Sequence, residues 1–194
     1  MPIPVFTIDG ILPPFTGAGP GDDSAFMSPY QADALEVAVL FGTGPRRREI
    51  LGKWLDHRSA LRDLGFDAGF QWLDGSFLEE KEPNDLDIVS FFYYPTALST
   101  EIQKISFWNS HLDVFDRQRV RASFLLDAFF IELEGAPETL VSLSRYYLQL
   151  FSHQRESYLW KGMVQVPLGN ANDDAAREQL LVSLRSDEPE ESQA

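Results

Sequence analysis

Two carboxylates and a turn of small residues hold most of the chemistry this chain can do. Asp85 and Asp87 flank Leu86 at the head of the apolar run LDIVSFFYY. Side chains in a strand alternate between faces, so both carboxylates project to one side, about 7 Å apart along the backbone. Carboxylates so spaced on a rigid element suit Mg²⁺ or Mn²⁺, hard cations that take oxygen ligands and are often shared with substrate phosphates. Ahead of them the apolar segment GFQWLD runs into Gly75-Ser76. That turn leaves backbone N–H groups and a hydroxyl free to cradle phosphate.

A third carboxylate stands inside the apolar segment SFLLDAFFIELEG. Burying an ionised Asp127 among Phe and Leu is costly unless a cation or hydrogen bonds satisfy it. Glu132 is its competitor, but it lies on the opposite face of a regular strand and nearer the solvated end.

These elements together, W-L-D-G-S-F followed by P-N-D-L-D-I-V, resemble the signature of the polymerase β-like nucleotidyltransferase superfamily. The spelling is similar to that of a small bacterial branch known mainly as a domain of unknown function. Asp74 departs from the pattern, standing where the superfamily more often has an apolar residue. The resemblance implies an α+β fold, a nucleotidyltransferase-like mixed sheet flanked by helices. It implies that Asp85, Asp87 and Asp127 are catalytic metal ligands for Mg²⁺ or Mn²⁺, that NTP is the substrate, and that Gly75 and Ser76 grip its terminal phosphates. Lys161-Gly162 resembles a late element of the same branch, which makes Lys161, assisted by Arg155, a nucleotide-binding candidate; an exposed hairpin lysine is the other reading. The expected activity is transfer of an NMP to a hydroxyl acceptor. Small superfamily members are often partners of toxins or defence proteins, so a protein acceptor encoded nearby is expected. An RNA or tRNA 3′ end, and a catalytically silent nucleotide-binding or antitoxin module, are the alternatives.

The remaining sequence must position these groups. With 194 residues, 44% of them hydrophobic, the chain has enough apolar surface for one substantial core. No cysteine is present, which excludes disulfides, thiolate zinc sites and a cysteine nucleophile and fits a reducing, cytoplasmic setting. No apolar run reaches membrane-spanning length, so no membrane partner is expected. The net charge of −14 argues against extended DNA binding, which draws its affinity from Lys and Arg on phosphates.

Residues 1–27 are rich in Pro and Gly and read as an extended arm laid over the domain, anchored by Ile11, Leu12 and Phe15. Residues 28–170 form the nucleotidyltransferase-like domain, and 171–194 a helix from Asp173 to about Leu184 with a disordered acidic tail. Ser28-Pro29 reads as N-cap and first turn of a helix to Phe41, and Pro45 opens a longer helix stopped by Gly65. Arg46, Arg47 and Arg48 crowd the first turn of that helix, the wrong end of its dipole for cations. An anion or RNA contact and a solvated charged turn both remain open there. Strands are expected over 70–73, 86–94, 119–134 and 157–168, and a helix from Pro137 to about His153 covers one sheet face. Of three histidines, none is paired at metal-ligand spacing, and His111 reads as structural.

Overall fold

The computed structural model describes residues 3–19 and 23–186. Its central strands follow from two short sequences in which almost every residue is apolar. β2 (Gly69–Asp74) and β3 (Leu86–Phe92) pair antiparallel. In β3 all residues but Asp87 are buried, as expected of a strand covered on both faces. β4 (Leu126–Glu132) adds in parallel to β3. β5 (Val164–Pro167) pairs with the other side of β2, and β1 (Tyr30–Gln31) lies parallel at its edge. The result is one open mixed sheet in the order β1-β5-β2-β3-β4, an α+β arrangement.

Among the described residues seven α-helices flank it: α1 (Ala34–Phe41), α2 (Pro45–Asp63), α3 (Glu101–Ser110), α4 (Leu112–Phe115), α5 (Arg117–Phe124), α6 (Pro137–Phe151) and α7 (Asp173–Ser186). α2 packs on the face that carries Gln71 and Ser90; Trp54 donates to Gln71 Oε1 at 3.0 Å, and Gln71 Nε2 donates to Ser90 at 2.9 Å. α6 crosses the opposite face, where Tyr147 packs 5.2 Å from the ring of Phe129. The expected acidic tail lies outside the described residues. The arm is anchored by Ile11 and Leu12, both buried, and by Phe15, whose ring lies 5.8 Å from Trp160.

Three boundaries differ from expectation. Ser28-Pro29 does not open a helix: its peptide is cis, the Ser28 hydroxyl accepts the Met163 N–H at 2.8 Å, and Tyr30 joins the sheet. α1 starts later because Asp33 and Glu36 form a reciprocal capping box. Residues 117–124 are helical rather than strand, capped by Asp116 and ended by Leu125 in the left-handed region. Residues 154–161 loop out before β5, with Gln154 N–H donating to the Leu159 carbonyl. Gly65 does end α2 as expected, in a Schellman arrangement with Phe66 N–H bonded to the Leu61 carbonyl and Gly65 N–H to that of Arg62.

His111 Nδ1 bonds the Phe107 carbonyl within its own turn. The fully buried histidine is His57, whose Nε2–H donates to the Val114 carbonyl at 3.0 Å while Nδ1 has no partner. Burial pushes its pKa down to about 4. The unfolded chain therefore binds a proton as pH falls below 6.5 while the folded chain does not, and stability drops by about 1.4 kcal/mol per pH unit from there towards pH 4. His57→Gln, which keeps a donor for Val114, is expected to flatten that slope in urea unfolding followed from neutral to mildly acidic pH.

Candidate active site at the ends of the central strands

The pairing register sets the site. Asp74 is the partner of Asp87 across β2 and β3, and Asp87 is the partner of Asp127 across β3 and β4. Register partners share a face, so three aspartates stand side by side across three strands. Asp85 lies just ahead of β3, on the same side. All four line a cavity of about 470 Å³ together with Gly75, Ser76, Lys161 and Arg155. The residues that the sequence offers as metal ligands and nucleotide contacts, Asp85, Asp87, Asp127, Gly75, Ser76, Lys161 and Arg155, thus line one cavity. Glu132 does not: it is at the far end of β4, paired with Lys104.

Gly75 is required here on two counts. Its φ is +78°, and a Cβ would lie 1.8 Å from Asp87 Oδ2. Gly75→Ala is therefore expected to drive the Asp87 carboxylate out of place. A crystal structure of the variant would show it displaced, at a stability cost of about 1–3 kcal/mol from strain.

The cations around the site differ in what they hold. Lys161 is buried, at 2% exposure, and its ammonium lies 2.8 Å from the Gly75 carbonyl and 3.2 Å from both Glu79 and Asp74. It is no exposed hairpin lysine, and its bonds are committed to the protein, so it holds the turn in place instead of reaching outward for phosphate. The same pair accounts for Asp74, an acidic residue in an apolar strand. Burial pushes Asp74 up to about 7 against the pull of Lys161. Arg155 is exposed at the cavity, and its charge favours ionised Asp87.

Arg47 and Arg48 meet neither expectation, while Arg46, partly exposed, pairs with Glu49 at 2.7 Å. Arg47 and Arg48 are buried; Arg47 donates to the Phe77 and Lys81 carbonyls at 2.8 and 2.9 Å, and Arg46 reaches those of Pro83 and Asn84. Arg46 and Arg47 clamp the segment between the Gly-Ser turn and Asp85, fixing where Asp85 enters β3, while Arg48 Nη1 donates to the Gly42 carbonyl at 3.3 Å. A guanidinium with its donors on backbone carbonyls is not available to an anion or RNA.

Two further arginines were not legible as site residues. Arg117 and Arg121, one turn apart on α5, hold two of the carboxylates. Arg117 grips Asp127 with two bonds, Nη2 to Oδ2 at 2.7 Å and Nε to Oδ1, and Arg121 Nη2 lies 2.6 Å from Asp85 Oδ2. Asp87 stands between them; burial first, then the negative charges of Asp85 and Asp127, push it up to about 6.

The donor set fits Mg²⁺ or Mn²⁺ in chemistry. It consists of hard carboxylate oxygens, and the repulsion felt by Asp87 marks a place where positive charge is favoured. Among the described residues no three acidic or histidine side chains stand grouped to hold an ion. With Asp85 and Asp127 turned to arginines, loading requires those guanidinium groups to move. Their side chains are 56% and 58% exposed.

A family model described as a family of unknown function (DUF6932) matches residues 4–167. No curated protein and no solved structure matches the chain.

Proposed function

For a chain that belongs to this family of unknown function, we propose a reading from the site itself: a metal-dependent nucleotidyltransferase that moves an NMP from an NTP to a hydroxyl acceptor, on a nucleotidyltransferase-like fold. The observation that carries it is the register that sets Asp87 beside Asp127, with Asp85 two residues away and the Gly75-Ser76 turn against Asp87.

Asp85 and Asp87 are the groups that would hold Mg²⁺ or Mn²⁺ at the nucleotide, and Asp127 with one of them a second ion. When bound, these ions supply charge neutralisation on the phosphates and lower the pKa of the acceptor hydroxyl. The Gly75-Ser76 turn orients the terminal phosphates through its N–H groups and the Ser76 hydroxyl, and Lys161 keeps that turn rigid from beneath. Arg155 draws the anionic substrate to the cavity. The acceptor oxygen bonds to the α-phosphorus, the bond from it to the bridging oxygen of the β-phosphate breaks, and pyrophosphate leaves; the acceptor proton passes to solvent or a site carboxylate. Positioning and electrostatics supply most of the acceleration.

The net charge of −14 favours a protein hydroxyl over RNA as acceptor. Incubation with α-labelled NTPs, against a neighbouring gene product and against total tRNA, tests this. Label on protein is expected, and label on tRNA alone rejects that acceptor. A second reading, a silent nucleotide-binding module, is favoured by one observation: Arg117 and Arg121 already neutralise two of the carboxylates. Nucleotide binding with no pyrophosphate release in any acceptor mixture would select it.

A further inference from the structure

We propose that Arg117 and Arg121 act as a gate on the carboxylates, holding Asp127 and Asp85 until a divalent cation arrives and then transferring to the phosphates of the nucleotide. The inference rests on the reading of Asp85, Asp87 and Asp127 as cation ligands.

Three features of α5 support it. The two arginines are spaced i, i+4, so they project from one face of the helix towards the same cavity. Each takes a different carboxylate, on either side of Asp87. Both side chains remain more than half exposed even in these ion pairs. Arg117 is further poised over Phe129, its guanidinium carbon 4.6 Å from the ring centroid, a platform on which it can pivot without losing all its contacts. A guanidinium and a divalent cation compete for the same carboxylate oxygens. An arginine displaced from a carboxylate beside bound nucleotide finds phosphate oxygens as its nearest alternative acceptors, with the same bidentate geometry. The arrangement would make cation and nucleotide binding mutually supportive. Cation entry frees the arginines for phosphate, and phosphate holds them away from the carboxylates.

The test is Mn²⁺ uptake, followed by the paramagnetic resonance signal of free Mn²⁺, with and without α,β-methylene-ATP. The double variant Arg117→Gln, Arg121→Gln is expected to bind Mn²⁺ alone about tenfold more tightly than the natural chain, since two competing charges have gone. At saturating Mn²⁺ it is expected to bind the analogue about tenfold more weakly. Arg119→Gln, which removes one positive charge from an exposed position on the same helix, controls for long-range effects and should change neither value. Mn²⁺ affinity unchanged or lower in the double variant overturns the gate, and unchanged analogue affinity overturns the transfer to phosphate. Neither readout depends on turnover. A chain that releases pyrophosphate with no shift in Mn²⁺ affinity keeps the proposed activity and loses the gate. One that shows the shift without transfer keeps the gate and loses the activity.

Discussion

Arg58→Met is expected to destabilise the chain by about 3–5 kcal/mol, enough to consume much of the stability of a domain this size. Arg58 is fully buried in α2. Its Nε and Nη2 bond Asp173 at 2.9 and 3.0 Å, Nη1 bonds Gln71 at 3.0 Å, and Nη2 also reaches the Pro167 and Gly169 carbonyls at 2.9 Å. One guanidinium thereby ties α2 to the central strand, to the end of β5 and to the start of α7. Removing it leaves the buried Asp173 carboxylate with Arg62 as its remaining cation and the Ala171 N–H as a weak donor. Arg58→Lys is expected to recover little, because one ammonium cannot span acceptors arrayed around a planar fork. The pH dependence carries the same signature. Burial alone would raise the Asp173 carboxyl, but the bonds and charges of Arg58 and Arg62 outweigh it and hold it below the usual carboxylate range. The folded pKa is depressed, so this contribution is present above the unfolded value of 3.8 and is lost as pH falls through the folded one. Urea unfolding midpoints of the natural chain and of Arg58→Met, measured at neutral pH and again in acid, should converge in acid.

The second large effect is on activity. Asp87→Asn is expected to lower nucleotidyl transfer by at least about 10³-fold, as befits the carboxylate at the centre of the row. Its effect on stability runs the other way. The folded pKa of Asp87 is raised above 3.8 to about 6, so in the absence of a divalent cation its ionised form works against the fold at neutral pH. The asparagine variant should therefore be more stable than the natural chain, by something on the order of 1–3 kcal/mol in divalent-free buffer. A residue held only for structure would lose stability on replacement. Opposite signs for activity and stability are what a functional carboxylate in a strained electrostatic setting produces. Loss of transfer with loss of stability would count against the assignment.

Much of the site could be read from local sequence because strand geometry determined it. Asp85 and Asp87 share a side through alternation alone, and the Gly75-Ser76 turn stands out by residue type, although only the fold shows that Asp87 lies too close to Gly75 for a Cβ. Asp127 was legible for a different reason: an acidic residue amid LLDAFFI needs a partner, whatever the tertiary structure. Pairing partners were harder to see. That Asp74 joins the row depends on the register of β2 against β3, and that Lys161 lies beneath it depends on a contact across 87 positions. Arg117 and Arg121 were hidden by an error of element type. With the strand taken to begin at Arg119, Arg117 and Arg121 fall in different elements; in α5 they stand one turn apart on one face. Arg46 to Arg48 show the opposite failure. Their unfavourable place at a helix start signalled that something held them there, but only the fold reveals backbone carbonyls as their partners.

The most direct test is a crystal structure grown with Mg²⁺ and α,β-methylene-ATP. The account predicts a cation within about 2.1 Å of oxygens of Asp87 and of Asp85 or Asp127, with the triphosphate along the Gly75-Ser76 turn. Nucleotide bound elsewhere, or a filled cavity in which Asp85 and Asp127 remain paired with Arg121 and Arg117, would contradict it.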